Sequence, residues 1–461
     1  MLNDPGSFRD PAGVVLHIDN KIYRTVTPFG AEQYEFVRNS GLLDELVQEN
    51  LLVSYKEIDP NSIHYNFKDK ISYLLEHQKL DFISYPYEWP FSVLQAAALL
   101  HLKIHLKALE KGITLSDATA FNVQFDGSRP VFIDHLSFRR YRKGELWYGH
   151  RQFCEEFLNP LLFQALCGIP HNAWYRSSLD GITANDLNTL LPWYRKCSLN
   201  VFFHVTLHAY FQSKYHGHQA QAKIPSRKLP LITLKKMLIG LHDWIKKMKV
   251  PMGNSSIWED YSKNTIYRSD ETKEKQIFIR NYIESIKPKV IWDLGCNTGE
   301  YSFNCLDSGA KLVIGFDGDT NVLDIAFLKA RKENKSFLPL YMDITNPSPS
   351  QGWAEIERQG LTKRQKPDGL LALALLHHLA IGRNIPLQDA VNWIVDLAPT
   401  GVIEFVPKND PMVKKLLALR EDIFPNYTEV NFTNFLNKKA RVIKEKILTK
   451  EGRKLLWYDR Q

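Results

Sequence analysis

Long apolar runs are missing from this chain. The longest candidates, such as Leu370 to Leu376, fall far short of the roughly 18 residues a membrane helix needs. No membrane span is therefore expected. The opening residues Met1-Leu2-Asn3-Asp4-Pro5 lack the basic and apolar parts of a signal peptide. Cysteine is scarce: there are 5, at positions 154, 167, 197, 296 and 305, and no two form a CxxC pair. An odd number without close pairs speaks against a disulfide scaffold and against a cysteine-built zinc site, and it suits a reducing cytoplasm. Neither sign of charge dominates, since 59 Lys and Arg against 51 Asp and Glu leave +8. That is compatible with an anionic partner but does not demand one. No internal repeat or low-complexity tract is present. With 44% apolar and 24% charged residues, disorder and fibre are excluded. A chain of 461 residues is too long for one core of about 150 residues, so two or three domains are expected.

Three stretches differ in pattern. Residues 1–150 begin with alternation over Gly13–Val26, broken at Asp19-Asn20, which reads as a β-hairpin. A helix follows over 92–111, with Ser92 as its cap and Gly112 beyond its end. Two short strands, Val123–Phe125 and Val131–Ile133, are joined by Asp126-Gly127-Ser128. Residues 151–250 read as helical, aromatic and basic. Leu234, Leu238, Leu241, Ile245 and Met248 form one apolar stripe between Pro230 and Pro251. Lys214 to Lys249 carries nine Lys or Arg against the single acid Asp243. These mostly flank the apolar stripe, so a solvated face is expected rather than a surface for nucleic acid, an acidic lipid or an anionic glycan. Pro251 to Ser256 reads as a linker.

Residues 251–461 alternate strands with helices. Strand candidates are 290–293, 312–317, 338–343, 369–376 and 402–406, with two late strands at 442–448 and 455–459 as an antiparallel edge. Helices are expected over 321–332 and 412–420, the latter opened by Asp410-Pro411. Such alternation argues a parallel, doubly wound sheet. Its first strand runs into Asp293-Leu294-Gly295-Cys296-Asn297-Thr298-Gly299. Two glycines let the backbone turn tightly and approach a ligand closely. The spacing departs from GxGxxG. An acid at the strand end would repel a pyrophosphate but suits an amine-bearing or cationic ligand. Asp317 ends the second strand, where a carboxylate can accept ribose hydroxyls. Asp343 ends the third and can accept an adenine amino hydrogen.

This set resembles the class I S-adenosylmethionine-dependent methyltransferases over about residues 255–461. The resemblance implies a Rossmann-like seven-stranded sheet. It implies S-adenosylmethionine as cofactor, held by Asp293, Gly295, Cys296, Asn297, Gly299, Asp317, Gly318, Asp343 and Ile344, with no metal in that domain. The fourth strand then leads to His377-His378, at the edge that faces the transferring methyl in such enzymes. An Asn/Asp-Pro-Pro-aromatic tetrad, the mark of amino methylation of bases, is absent there. So is the Pro-Cys of pyrimidine carbon methylation. A neutral imidazole can accept a hydroxyl proton, which favours O-methylation with His377 or His378 as base; helix capping or a core hydrogen bond is the structural alternative. Glu404, in an apolar strand, needs a partner: a histidine, a substrate or an ion pair. Trp258, Tyr261 and Tyr267 could close over the cofactor or simply pack. The segments 374–382, 403–408 and 420–425 look like a bacterial methyltransferase subfamily that includes nodulation-type proteins, which would suggest a carbohydrate or lipo-oligosaccharide acceptor.

Ser116-Asp117-Ala118-Thr119-Ala120-Phe121-Asn122, followed by Phe132-Ile133-Asp134, resembles the catalytic loop of the protein-kinase and aminoglycoside-phosphotransferase fold. The resemblance implies an α+β kinase-like region, with Asp117 as base and Asn122 and Asp134 holding magnesium beside ATP. The pattern also departs from that family. Leu115 stands where histidine is usual, His135-Leu136 follows Asp134, and the first hairpin has only Gly13 in place of a glycine-rich loop. Lys21 and Arg24 are the candidate phosphate partners. The chain thus reads as an α/β methyltransferase acting on a small-molecule, glycan or lipid-linked acceptor. A phosphotransferase or bifunctional protein, and a non-catalytic pseudokinase scaffold, are its rivals.

Overall fold

A computed structural model describes residues 3–63, 65, 67, 70–210, 228–251, 269–418 and 421–460. Its contacts divide into two compact units: residues 1–126, 130–253 and 350–359, and residues 127–129, 254–349 and 360–461. Residues 252–256 of the proposed linker, Trp258, Tyr261, Tyr267 and Arg420 lie outside the described residues, as do Lys214, Lys223 and Arg227 of the basic stretch.

The first unit opens with a four-stranded antiparallel sheet, in the order β1 (Val15–Ile18), β2 (Lys21–Val26), β4 (Tyr73–His77), β3 (Tyr55–Ile58). The expected hairpin is β1–β2, and Asp19 and Asn20 take the left-handed turn conformation that suits their short polar side chains. Helices Pro28–Asn39 and Leu42–Gln48 lie between β2 and β3 in sequence. The helix Phe91–Glu110 buries Leu94, Ala97, His101, Ile104 and Ala108 among others. It is apolar almost all round, as an interior helix should be. Pro90, not Ser92, occupies its cap position; Gly112 follows its end with a left-handed φ of 70°. Beyond it β5 (Ile113–Leu115) pairs with β8 (Phe138–Arg140), and β6 (Val123–Asp126) with β7 (Arg129–Phe132).

Short helices fill 150–210, and the amphipathic helix spans Leu231–Lys247. It buries Leu234, Leu238, Leu241 and Ile245 against Phe91–Glu110; Met248 of the expected stripe falls just past its end. Gln95 donates to the Ile245 and Met248 carbonyls at 2.7 and 3.0 Å, tying the two helices together at this end.

The second unit is built on a seven-stranded sheet ordered β11 (Phe337–Tyr341), β10 (Leu312–Asp317), β9 (Val290–Leu294), β12 (Gly369–Ala372), β13 (Thr400–Phe405), β15 (Lys454–Arg460), β14 (Ala440–Ile447). Its first five strands are parallel and β15 is antiparallel to both neighbours. The central strands are buried along their whole length, because helices cover both faces of a parallel sheet. Edge strand β14 is mostly exposed and carries Lys444, Glu445 and Lys446, charges that discourage pairing with another chain. Two strands stop earlier than their apolar runs suggest. β12 ends at Ala372, since the chain turns at Ala374 with φ of 48°. β11 ends at Tyr341, although the Met342 N–H still donates to the Asp317 carbonyl at 2.8 Å.

The solvated-face reading of Leu231–Lys247 is open to test. Leu238→Ala should cost about 2–5 kcal/mol, while Lys236→Ala, on the exposed side, should stay within about 0.5 kcal/mol. Denaturant unfolding of the full chain measures both, and equal effects would contradict the orientation.

Candidate functional site

The glycine loop follows β9 directly. Gly295, Asn297 and Gly299 all have positive φ, at 77°, 49° and 83°. A Cβ on Gly299 would lie 2.5 Å from Phe337 Cε1, so both conformation and space demand glycine there. Beside Gly295 only Leu375 comes near, at 3.7 Å, which leaves the backbone approachable. The Gly295 N–H donates to the Phe316 carbonyl at 2.8 Å, tying the loop to β10. Cys296 is buried and its Sγ would meet a Cβ on Gly315 at 2.7 Å. The thiol is packing, and burial pushes its pKa well up.

Three acids line the ends of three adjacent strands. Asp293 is buried and accepts from Ser302 Oγ at 2.6 Å. Burial raises its pKa to about 6, against the opposing effects of Ser302 and Lys275; Asp317 adds to the rise. Asp317 accepts the Asn297 N–H at 2.9 Å and the Asp319 N–H at 3.0 Å, and burial raises its pKa too. Each oxygen keeps a second lone pair for a ligand hydroxyl. Asp343 lies two residues beyond β11 and accepts from the Thr345 N–H and Oγ1 at 2.9 and 2.7 Å. Gly318 has open space where a side chain would stand, and Ile344 is half-buried beside Asp343.

His377 and His378 sit in a helical turn past the end of β12 rather than on the strand. Their rings are 4.1 Å apart. His377 is fully buried and neither ring nitrogen has a hydrogen-bond partner. Burial holds its pKa well below the usual imidazole value, and that of His378 down at about 4. Both are neutral at pH 7. They are also weaker bases than a free imidazole, which limits them to a brief or partial acceptance of a proton.

Glu404 has the partner it needs, in an ion pair. Lys275 Nζ, from the helix Ser269–Ile286, lies 2.6 Å from Glu404 Oε2. Arg453 Nη1 is 3.6 Å from Oε1. Arg453 also grips Asp410 through Nε at 2.6 Å and Nη2 at 3.0 Å. Asp410 in turn accepts the Met412 N–H at 2.8 Å as the cap of Pro411–Leu417. All four side chains are almost wholly buried. Two positive and two negative charges cancel, which is what makes their burial tolerable. Sequence reasoning found Glu404 but missed Lys275, Arg453 and Ser302. Lysine and arginine in polar surroundings carry no signal of burial until the fold is known.

In the first unit the three kinase-like positions come together. Asn122 Nδ2 donates to Asp117 Oδ2 at 3.2 Å and to Ser137 Oγ at 3.0 Å. Ser137 Oγ donates to Asp134 Oδ2 at 2.8 Å. Buried Arg24 pairs with Asp10 and lies 3.5 Å from Asp134 Oδ1. Burial, then Asp134, raises the Asp117 pKa to about 6. Lys21 pairs instead with Glu76 at 2.9 Å and is mostly exposed.

No family model matches this chain. A curated relative, the nodulation protein NoeA of Rhizobium meliloti (strain 1021), is 45% identical over 460 residues, 99% of this chain and 95% of its own length. Among solved structures, the magnesium protoporphyrin IX methyltransferase ChlM of Synechocystis PCC 6803 aligns over 46% of this chain and 87% of its own at 16% identity, with a TM-score of 0.30. The N-methyltransferase NodS of Bradyrhizobium japonicum WM9 aligns over 44% and 97% at 10% identity and 0.32. WbdD aligns over 43% of each chain at 14% identity and 0.30. Scores this low carry no argument about function.

Asp293 gives the site a pH signature. Its pKa in the folded chain lies above the ordinary carboxylate value, so the folded state holds the proton more tightly. The stability it contributes is present below about pH 4 and is lost as pH rises through about 6. Asp293→Asn should therefore stabilise the chain at pH 8 by roughly 1–3 kcal/mol and give no gain at pH 4. Urea unfolding at the two pH values checks this, and a gain independent of pH would contradict it. Glu404→Ala should cost about 3–5 kcal/mol at neutral pH by stranding the buried cations, read by the same method.

Proposed function

The chain belongs to the family of the nodulation protein NoeA, and we propose that it is an S-adenosylmethionine-dependent methyltransferase whose acceptor is a hydroxyl of a small molecule, glycan or lipid-linked sugar. One observation carries the reading. Asp293, Asp317 and Asp343 stand at or just past the carboxyl ends of three adjacent parallel strands, around a loop whose backbone is held in left-handed turns. Ligands of open α/β sheets bind at that edge. The donor set fits the cofactor. A buried, under-solvated Asp293 suits the ammonium of the methionine portion, Asp317 has lone pairs left for ribose hydroxyls, and Asp343 with Ile344 can flank the adenine. The approach beside Gly295 is open to a ligand's backbone-like chain.

The cofactor's sulfonium supplies an activated methyl, so the protein's main task is alignment. His377 and His378, neutral and close to the β12 end, would orient the acceptor oxygen and take up its proton as the hydroxyl is methylated. The Lys275–Glu404–Arg453–Asp410 network is assigned a positioning role: it fixes β13 and the helix Ser269–Ile286 beneath that edge.

Calorimetry tests the site. S-adenosylmethionine should bind the full chain and lose most affinity in Asp293→Ala. Because a bound ammonium favours the ionised acid, binding should release protons below about pH 6 and tighten as pH rises through that value. Proton-independent binding, or unchanged affinity in Asp293→Ala, would sink the assignment. His377→Ala and His378→Ala should bind normally; full methyl transfer by both would remove them from the chemistry.

A second reading, phosphotransfer by the first unit, is favoured by the convergence of Asp117, Asn122, Asp134 and Arg24. Against it, Asp134 already accepts from the Leu136 N–H and Ser137 Oγ and is ion-paired with Arg24 at 3.5 Å. Magnesium-ATP binding that vanishes in Asp134→Asn supports this reading; no binding at millimolar nucleotide excludes it.

A further inference from the structure

The first unit gathers His150, Cys154 and His204, with one ligand atom from each lying within 4.8 Å of the others. His150 and Cys154 are one helical turn apart, so their side chains share a face. His204 and His208 repeat that four-residue spacing on a second segment, and both segments carry a π-helical stretch, Cys154–Leu158 and Phe202–Thr206. Such π-turns are rare and frequently occur at functional sites.

We propose that these residues bind a single zinc ion, with His208 as the fourth ligand. The distances carry the argument. His150 Nε2 is 3.3 Å from His204 Nδ1 and 3.6 Å from Cys154 Sγ. With zinc–nitrogen bonds of about 2.05 Å and a zinc–sulfur bond of about 2.3 Å, a tetrahedron has N···N edges of about 3.3 Å and N···S edges of about 3.6 Å. Two edges of the three-residue group thus match those of a zinc tetrahedron, and the Cys154–His204 edge is no longer than 4.8 Å. Two imidazoles and a thiol are the donor set that zinc prefers over calcium or magnesium. The His208 ring is 5.7 Å from that of His150, against 5.6 Å for His204. Its Nδ1 is buried without a hydrogen-bond partner, which is the reason for assigning it the fourth position. Trp147 and Trp244 pack against the His150 and His204 rings and limit their reorientation.

Binding deprotonates Cys154, and the thiol proton passes to solvent. Four protein ligands close the coordination sphere, so the site is structural. It clamps two helical segments some fifty residues apart in sequence. The cysteine spacing argues against a cysteine-built zinc site, and the site proposed here uses one cysteine only. Histidines supply most of the ligands, so no CxxC pair is required.

The full chain is the object of the test. Purified and dialysed against metal-free buffer, it should retain about one zinc per chain by elemental analysis. Cys154→Ser and His204→Ala should each lose it. Chelated wild-type chain titrated with cobalt(II) should develop intense tetrahedral d–d bands and a thiolate-to-cobalt transition, a readout that needs no variant to fold. X-ray absorption of the zinc form should fit one sulfur and three nitrogens. Absence of both retained zinc and cobalt bands, full zinc retention in Cys154→Ser, or a coordination shell without sulfur would each overturn the proposal.

Discussion

Four buried charges hold the carboxyl edge of the seven-stranded sheet together. Lys275 comes from a helix that precedes the sheet, Glu404 from β13, Asp410 from a helix cap and Arg453 from the turn into β15. No one of them could be buried alone, because an unpaired ion costs several kcal/mol to remove from water. The four together are neutral, and the network ties distant parts of the chain to one register. Lys275 reaches further still. It lowers the Asp293 pKa against the stronger effect of burial and stacks over the Tyr301 ring at 4.5 Å. Structural charge and candidate binding charge therefore belong to one electrostatic system.

That system explains why the site is acidic yet poised. Asp293 and Asp317 both have pKa values pushed up by burial. A ligand with a positive centre or several hydrogen-bond donors would relieve the strain of keeping them ionised in a dry place. A phosphate-rich ligand would make it worse. The same logic separates the two units. In the first, Asp134 and Asp10 are already satisfied by Arg24, Ser137 and a backbone N–H, so the cluster is more self-contained than the acids of the second.

Much of the second unit was legible in the sequence because its period is strong. The runs at 290–293, 312–317 and 338–343 announce buried strands, and the glycine loop and three acids fall at their ends for a chemical reason. Strand ends were harder to read. The apolar run 369–376 looks continuous, yet Ala374 turns left-handed and carries His377 inward. Hydrophobicity cannot distinguish a strand from the buried turn after it. The partners of Glu404 were invisible, since Lys275 and Arg453 lie 129 and 49 residues away in sequence. The histidines of 150–208 were overlooked for a related reason. Their spacing is visible within each segment, but only the fold brings the two segments together.

The central claim is that the acid-lined edge of β9, β10 and β11 binds S-adenosylmethionine. Ultraviolet crosslinking of the full chain with the methyl-tritiated cofactor, followed by peptide mapping, tests it most directly. The expected result is label confined to peptides spanning 290–302, 312–319, 341–346 or 373–378, displaced by unlabelled cofactor. Specific label in residues 1–250, or no displaceable label at all, would contradict the account.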